Sequence, residues 1–365
     1  MGQIRTIGLL TSGGDCAGLN AVIRAVYAQA YHGNGWTVVG IRNGTAGLMA
    51  RPVEAEALDE RVMSSEMLRQ GGTILGTTNK GDPFRFPGED GALLDRSAEV
   101  IDGYRRLGLD ALIMVGGDGS MDILRRLAIQ GGIPLVAIPK TIDNDIGLTE
   151  ASIGFETAVQ TATAALDHLQ PTAASHSRVM VLEVMGRDAG HIALTAGIAG
   201  GADVILIPEI PYRLAAVAAH LDRLKQSGRN FALVIVAEAV KTEDGKAVTA
   251  VHDAGGGAAS RTYGGIGHYI GAEIAQLTGA ETRVTVLGHV QRGGSPEPRD
   301  RVLASALGVH AVDLIAAGKF DRMVAWSNRR VIDVSIDAAI QQYQAVDPGG
   351  TLVTTARGLG ISFGD

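Results

Sequence analysis

The segment 110–147 constrains the fold most strongly, because two short apolar runs in it each end in a polar turn. Residues 111–115 (ALIMV) lead into GGDGS, and residues 134–138 (PLVAI) lead into PKTIDND. An apolar run of this length between turn residues is typical of a strand buried in a parallel sheet. The helix-like stretch between them completes a predicted β-α-β unit. Because ligands bind at the carboxyl ends of strands in open α/β sheets, both turns are expected to face one crevice.

The two turns carry groups suited to phosphoryl transfer. The glycines of GGDGS leave backbone N–H groups accessible to polyphosphate oxygens, since glycine has no Cβ. Asp118 lies in this turn, and Asp143 and Asp145 lie in the second. If the second turn is extended, its two carboxylates share one face; one stays beside Mg²⁺ and the other accepts a proton from an attacking hydroxyl. For the second turn alone, an ordinary solvated turn is the alternative.

The rest of the chain continues the alternation of strands and helices, which predicts an α/β fold. Its 365 residues are enough for two domains. Residues 241–262, rich in Gly, Ala and charge, are predicted to form an exposed excursion. The predicted strands are 4–10, 36–41, 177–186, 203–211, 231–239 and the start of 281–294. The predicted helices are 17–30, 90–107, 154–169, 189–200, 214–226, 263–278 and 298–317.

Charge and motifs exclude several classes of protein. A net charge of −7 argues against nucleic-acid or anionic-membrane partners, and no apolar stretch is long enough to span a bilayer. The N-terminus has no signal-peptide pattern, so a cytoplasmic protein is expected. The single cysteine, Cys16, excludes an internal disulfide and is interpreted as a small buried filler. P-loop, protein-kinase, dinucleotide-binding and zinc motifs are absent from the sequence.

The chain resembles the 6-phosphofructokinase family along nearly its whole length. Seven segments carry the resemblance in family order: SGGDCAGLNAVIR (12–24), GGTILGTT (71–78), GGDGS (116–120), PKTIDND (139–145), SHSRVMVLEVMGR (175–187), IAGGAD (198–203) and ETRVTVLGHVQRGGSP (281–296). The resemblance implies two Rossmann-like α/β/α domains with the active site in the cleft between them. Residues 1–154 plus about 292–345 would bind nucleotide and Mg²⁺. Residues 155–291 plus about 346–365 would bind fructose 6-phosphate.

The resemblance also implies the reaction and the residues that perform it. Fructose 6-phosphate would be phosphorylated at O1 with MgATP to give fructose 1,6-bisphosphate. Asp143 would be the base, with Thr141 and the loop from Asp118 to Ser120 on the transferred phosphate. Asp118 and Asp145 would hold Mg²⁺.

Further positions are assigned through the same resemblance. Arg187 would lie near the reacting end and stabilise its charge. The nucleotide side would comprise Gly14, Asn79, Lys80, Gly117, Asp118, Gly119 and Ser120. The sugar would be held by Met185, Gly186 and Glu238, and the 6-phosphate by Arg178, Arg283, His289 and Arg292. Part of this grip would come from a neighbouring subunit, which implies a homodimer or homotetramer.

Two positions bear on the phosphoryl donor. In pyrophosphate-using relatives the residue after GGD is Asp, whereas here it is Gly119, which leaves room for a nucleotide α-phosphate. The same relatives carry Lys before TIDND, and here Lys140 is present. Because a lysine can bend aside while an acidic side chain would clash with and repel the phosphate, ATP is the favoured donor. A pyrophosphate-dependent enzyme is the alternative, and a catalytically silent sugar-phosphate or nucleotide sensor is a remote one.

Two departures from the family pattern remain. Asn79 stands where an Arg is usual, so Lys80 is a candidate to supply that charge. Arg24 is retained from the effector region of regulated relatives, but Ala28 replaces its companion Arg. Control by ADP or phosphoenolpyruvate of the usual kind is therefore not expected.

Overall fold

The chain is divided into two compact units. The computed structural model describes residues 4–79, 81–88, 91–253 and 259–365, without the side chains of 250–253 and 259–262. The first unit comprises Met1–Thr157 and Arg292–Tyr343, and the second comprises Ala158–Gln291 and Gln344–Asp365. Both are built from strands that alternate with helices, so the predicted α/β class is confirmed. In the described part of the chain, no helix combines the length and the apolar character needed to cross a bilayer.

The elements are numbered along the chain. The strands are β1 Thr6–Thr11, β2 Thr37–Ile41, β3 Ala55–Ala57, β4 Phe86–Pro87, β5 Leu93–Leu94, β6 Ala111–Gly116, β7 Leu135–Pro139, β8 Val179–Val184, β9 Val204–Leu206, β10 Ala232–Ala237, β11 Thr249–Asp253, β12 Ala259–Tyr263, β13 Thr282–Val286, β14 Arg322–Ser327 and β15 Arg330–Ser335. The helices are α1 Leu19–Tyr27, α2 Thr45–Met49, α3 Ser97–Arg106, α4 Asp118–Gly131, α5 Phe155–His176, α6 His191–Ala199, α7 Leu214–Gln226, α8 Ile266–Thr278, α9 Pro298–Ala316, α10 Ile336–Ile340 and α11 Thr351–Gly358.

The first unit is organised on a sheet with the order β15-β14-β7-β6-β1-β2-β3. The neighbours from β14 to β2 run parallel, and β3 and β15 pair antiparallel at the two edges. All residues of β6 and β7 are buried, as the continuous apolar runs predicted. Each fully buried side chain such as Leu9 or Ile113 stabilises the unit by about 1.5–3 kcal/mol.

The register of this sheet brings three turns to one edge. Val115 of β6 pairs with Thr11 of β1, and Gly116 pairs with Pro139 of β7. Because the strands are parallel and end level with one another, the segments that follow β1, β6 and β7 emerge side by side. The predicted β-α-β unit is therefore confirmed, with α4 as its crossover helix.

The second unit contains a smaller parallel sheet with the order β13-β8-β10-β9. Helix α8 packs against β8 and β13, and α6 packs against β9 and β10. Glu183, inside β8 and only 2% exposed, accepts hydrogen bonds from the backbone N–H groups of Gly265 (2.9 Å) and Gly267 (2.8 Å). A buried carboxylate thus supplies the N-terminal cap of α8.

Two predicted helices have different bounds in the structure. Helix α5 was predicted to end at residue 169, but it continues past Pro171 to His176, and Ser175 Oγ donates to the Pro171 carbonyl (2.8 Å). The predicted helix 90–107 begins only at Ser97, since residues 93–94 form a short strand. The excursion 241–262 contains the antiparallel pair β11 and β12, and its residues 254–258 lie outside the described part of the chain.

The N-terminus of α5 is held by a buried carboxylate from α9. Asp300, 0% exposed, accepts from Gly154 N (2.9 Å), Thr157 N (2.8 Å) and Thr157 Oγ1 (2.6 Å). These bonds satisfy two of the N–H groups that a helix start leaves without an intrahelical partner. Burial raises the pKa of Asp300, and the hydrogen bonds from Thr157 and Gly154 oppose that shift.

We expect Asp300→Ala to lower the free energy of unfolding by about 2–4 kcal/mol, because it leaves buried donors without an acceptor. Urea denaturation followed by circular dichroism measures the loss. The matched control is Asp313→Ala on the same helix, where the exposed carboxylate accepts from Gln29 Nε2 (2.6 Å). The control should cost no more than about 0.5 kcal/mol, and equal losses in both variants would contradict the capping role of Asp300.

Candidate active site

The turn after β1 is tied by its backbone to neighbouring loops of the first unit. Ser12 N donates to the carbonyl of Val115 (2.9 Å), and Gly13 N donates to the carbonyl of Thr78 (2.9 Å). In return, Thr77 Oγ1 donates to the Gly13 carbonyl (2.6 Å). The segments SGGD, GGTILGTT and GGDGS, far apart in the sequence, are thus brought together at the edge of the sheet.

The GGDGS turn is the start of helix α4. Gly117 is extended, with ψ of −178°, and Asp118, Gly119 and Ser120 form the first turn of this 14-residue helix. The N–H groups of a first turn and the positive end of the helix dipole favour anions. A Cβ placed on Gly119 would meet no atom within 4 Å, so packing within the chain does not require glycine there.

The Lys140 side chain extends toward the Gly13–Gly14 turn that follows β1. Its side chain is 4% exposed, and Nζ donates to the Gly14 carbonyl. A Cβ on Gly13 would lie 3.4 Å from Nζ and 3.1 Å from Ser120 Oγ. Burial lowers the pKa of Lys140. A cationic side chain and the GGDGS helix start therefore border the same Gly13–Gly14 turn.

The turn after β7 holds two buried acids. Asp143 and Asp145 are 6% and 4% exposed. Thr141 Oγ1 donates to Asp143 Oδ2 (3.2 Å) and accepts from Asp143 N (3.1 Å). The expectation of an extended turn was wrong, since Asn144 has φ of 54°. The alternation of an extended strand therefore does not apply to these two carboxylates, and the left-handed residue between them sets their directions.

Sequence reasoning missed the residues that hold this turn. Asn144 Oδ1 accepts from Ser152 N (3.0 Å) and Ser152 Oγ (3.1 Å). The single proton of the Ser152 hydroxyl is shared between Asn144 Oδ1 and the closer Thr141 carbonyl (2.8 Å). Asparagine tolerates the left-handed region better than most residues, and the contact with Ser152 fixes its side chain. The Asn in TIDND was the available signal, but nothing in the sequence pointed to Ser152.

Arg292 is placed differently from the other residues predicted to bind the 6-phosphate. It lies in the first unit, where Nη1 donates to the Asp15 carbonyl (3.2 Å) and would be 2.8 Å from a Cβ on Gly14. Arg178, Arg283 and His289 lie in the second unit. On the nucleotide side, Asn79 is exposed, and Lys80 lies outside the described residues.

In the second unit, three residues predicted to hold the sugar meet at the ends of β8 and β10. Glu238 Oε1 accepts from Gly186 N (3.3 Å) and Arg187 N (3.0 Å). The neighbouring Met185 N donates to Gln291 Oε1 (2.8 Å), a contact that sequence reasoning missed. Arg187 is exposed and has φ of 51°, so this turn has a defined, left-handed geometry.

Two of the predicted phosphate-binding arginines share one carboxylate. Arg178 Nη2 lies 2.9 Å from Glu281 Oε1, and Arg283 Nη2 contacts the same oxygen. These contacts, that of Arg178 first, hold the pKa of Glu281 below its ordinary value. His289 is exposed in the short helical turn Gly288–Arg292. In this arrangement both arginines are partly neutralised by a residue of the same unit.

Comparison with known proteins identifies the family. The family model described as "Phosphofructokinase" matches residues 6–315. The chain belongs to the phosphofructokinase family. Among its phosphofructokinase relatives, "ATP-dependent 6-phosphofructokinase 1" of Synechocystis sp. (strain PCC 6803) is 63% identical over 365 residues, covering 100% of both chains. The protein of the same name from Nostoc sp. (strain PCC 7120) is 61% identical over 365 residues, again covering 100% of both.

A solved structure shows the same fold. Phosphofructokinase from Saccharomyces cerevisiae superposes with a TM-score of 0.78 at 26% identity, covering 92% of this chain and 45% of that chain. The match covers most of both units of this phosphofructokinase-family chain.

Cys16, beside the Gly14 turn, is buried, and its Sγ donates to the Ile153 carbonyl (3.3 Å). Burial is the main cause that raises the pKa of this thiol to about 12. The thiolate is the reactive form, and at pH 8 this thiol is almost entirely protonated. We therefore expect no alkylation of the native protein by iodoacetamide at pH 8 and complete alkylation in guanidinium chloride, measured by mass spectrometry. Modification of the folded protein at the rate of an ordinary thiol would contradict the buried position.

Proposed function

We propose that this chain is an ATP-dependent 6-phosphofructokinase, which transfers the γ-phosphoryl group of ATP to O1 of fructose 6-phosphate. The products are fructose 1,6-bisphosphate and ADP, and the reaction is a step of glycolysis. The observation that carries this conclusion is full-length identity of 63% and 61% to two proteins named for that activity. The cluster of three turns at the edge of the first sheet is consistent with it.

Asp143 is the proposed general base. Its carboxylate accepts the proton of the 1-hydroxyl as O1 attacks the γ-phosphorus, and such a positioned base contributes about 10²–10⁴-fold to the rate. The Thr141 hydroxyl, which donates to Asp143 Oδ2, orients the carboxylate. The contacts of Asn144 with Ser152 hold the turn in which both residues lie.

The carboxylates available as metal ligands fit a magnesium ion that is bound together with a nucleotide. Among the described residues, no group of three or more His, Cys, Asp or Glu side chains is arranged to hold a metal ion by itself. Mg²⁺ is usually bound by one or two carboxylates with substrate phosphates and water, and Asp118 and Asp145 are the proposed carboxylates. Held there, Mg²⁺ would supply positive charge to the phosphates of the nucleotide.

The first turn of α4 is the proposed nucleotide contact, with Gly117, Asp118, Gly119 and Ser120 next to Gly14. The open space at Gly119 supports ATP as donor, since the side chain that pyrophosphate-using relatives carry there would fill it. Lys140 borders the same turn and supplies positive charge near the phosphates. That placement is the observation that favours the second candidate, a pyrophosphate-dependent phosphotransferase. Asn79 and Lys80 remain predicted contacts.

The second unit is proposed to bind the sugar phosphate. Glu238, Met185 and Gly186 would hold the sugar, and Arg187 would stabilise charge at the reacting end. The 6-phosphate would be bound by the remaining cationic residues, Arg178, Arg283, His289 and Arg292. A homodimer or homotetramer would complete this site. The cytoplasmic location and the assembly stay predictions.

Asp143→Asn is expected to lower kcat by about 10²–10⁴-fold with little change in the affinity for fructose 6-phosphate, because the amide cannot take the proton. A coupled assay that follows fructose 1,6-bisphosphate measures kcat, and calorimetric titration measures affinity. Asp122→Asn is the control, since this carboxylate is exposed on α4 and pairs with Arg126. Near-normal turnover of the Asp143 variant would refute its role as base.

Gly119→Asp is expected to lower kcat/KM for ATP by about 100-fold or more, because a carboxylate would face the phosphates. The fold should persist, since the position is open and an acidic residue is favoured in the first turn of a helix. Gly119→Ala controls for loss of glycine without added charge and should retain more activity with ATP. Assays with ATP and with pyrophosphate separate the two donors; wild-type activity with pyrophosphate alone would reverse the assignment.

A further inference from the structure

The residue that follows the excursion 241–262 is a tyrosine that reaches the proposed sugar site. Strand β12 of the excursion closes with Tyr263, whose backbone pairs with Thr249 of β11. The Tyr263 hydroxyl donates to Asp188 Oδ1 (2.7 Å). Asp188 directly follows Arg187, and its Oδ2 lies 3.9 Å from Arg187 Nε. One carboxylate thus faces the tyrosine with one oxygen and the arginine with the other.

The backbone on the far side of Tyr263 is held by the strand that leads to this arginine. Gly265 N, two residues after Tyr263, donates to Glu183 (2.9 Å) in β8. Glu183 precedes Met185, where the turn containing Arg187 begins. Tyr263 is therefore fixed between the β11–β12 pair and β8, and the direction of its side chain relative to Arg187 is set by both.

The charges around Tyr263 favour the protonated hydroxyl, which donates to Asp188. The hydrogen bond with Asp188 raises the pKa of Tyr263 above its ordinary value, with burial and the nearby charge of Glu238 acting in the same direction. The hydroxyl therefore stays protonated at neutral pH. The Asp188 carboxylate that accepts this hydrogen bond is held in place, which fixes the position of the negative charge beside Arg187.

We propose that Tyr263 is a positioning residue for the sugar-phosphate site, acting through Asp188 to hold Arg187 in the orientation in which it meets the substrate. This inference rests on the proposed function, because it takes Arg187 and Glu238 as substrate contacts. It gives the excursion a role in the reaction, which its sequence alone does not indicate.

The test removes one hydroxyl. Tyr263→Phe is expected to lower kcat/KM for fructose 6-phosphate by about threefold to tenfold while the KM for ATP stays unchanged. In an Asp188→Ala background, Tyr263→Phe should have no further effect, since the tyrosine acts only through that carboxylate. A purely structural role would move the constants of both substrates and would not depend on Asp188.

Tyr212→Phe is the matched control. The Tyr212 hydroxyl donates to the Lys241 carbonyl (3.0 Å) at the other end of the excursion. Its loss should leave the constants for fructose 6-phosphate within about twofold of wild type. Thermal melting of all variants checks that they are folded.

Four outcomes overturn the inference: wild-type kinetics in Tyr263→Phe, an equal effect in the Asp188→Ala background, an equal change in the KM for ATP, or an equal effect of Tyr212→Phe. Calorimetric titration with fructose 6-phosphate gives a readout independent of turnover. If the wild-type chain bound the sugar phosphate without turning it over, the proposed function alone would fail, and the affinity of Tyr263→Phe would still decide the inference. A wild-type chain that bound none would overturn both.

Discussion

Strands β1, β6 and β7 end level with one another, and the alignment of the three turns that follow them depends on this register. Parallel hydrogen bonding fixes Val115 opposite Thr11 and Gly116 opposite Pro139. A shift of one strand by a single residue would turn its side chains to the other face and separate the turns that follow. Because all three strands are buried, that shift would also expose apolar surface at a large cost. The same burial that stabilises the sheet therefore aligns the acidic and glycine-rich turns.

Side-chain contacts from segments later in the chain hold the turns and helix starts that the sheet register brings together. Ser152 holds Asn144 in the turn of Asp143, and Asp300 holds the start of α5 just beyond it. In the second unit, Glu183 holds the start of α8 in the same manner. In each case a buried polar side chain satisfies backbone groups that the local element leaves open. The contacts of Asp300 and of Glu183 each join segments that are distant in sequence.

The sequence predicted the central β-α-β unit well because a strand buried on both faces leaves an unmistakable apolar run, as in ALIMV. It predicted the acids of GGDGS and TIDND because those turns follow such strands directly. It did not predict the left-handed Asn144, since a turn of this composition is compatible with several backbone shapes. Ser152, Asp300 and Tyr263 could not be found from local pattern at all. Their partners are brought close only by tertiary packing, and a Ser, Asp or Tyr at those positions has many ordinary roles.

Glu281 gives the second unit a property that its arginines alone would not have. Arg178 and Arg283 already share the Glu281 carboxylate, so a phosphate that bound both arginines, as proposed, would take the place of an anion that is part of the chain. Binding would exchange the Glu281 carboxylate for the phosphate, so much of the electrostatic gain would be cancelled by the loss of the contacts with Glu281. Singly charged ligands, such as chloride or a simple carboxylate, would compete poorly in such an exchange, whereas a phosphate monoester would bring both the charge and the geometry to replace Glu281.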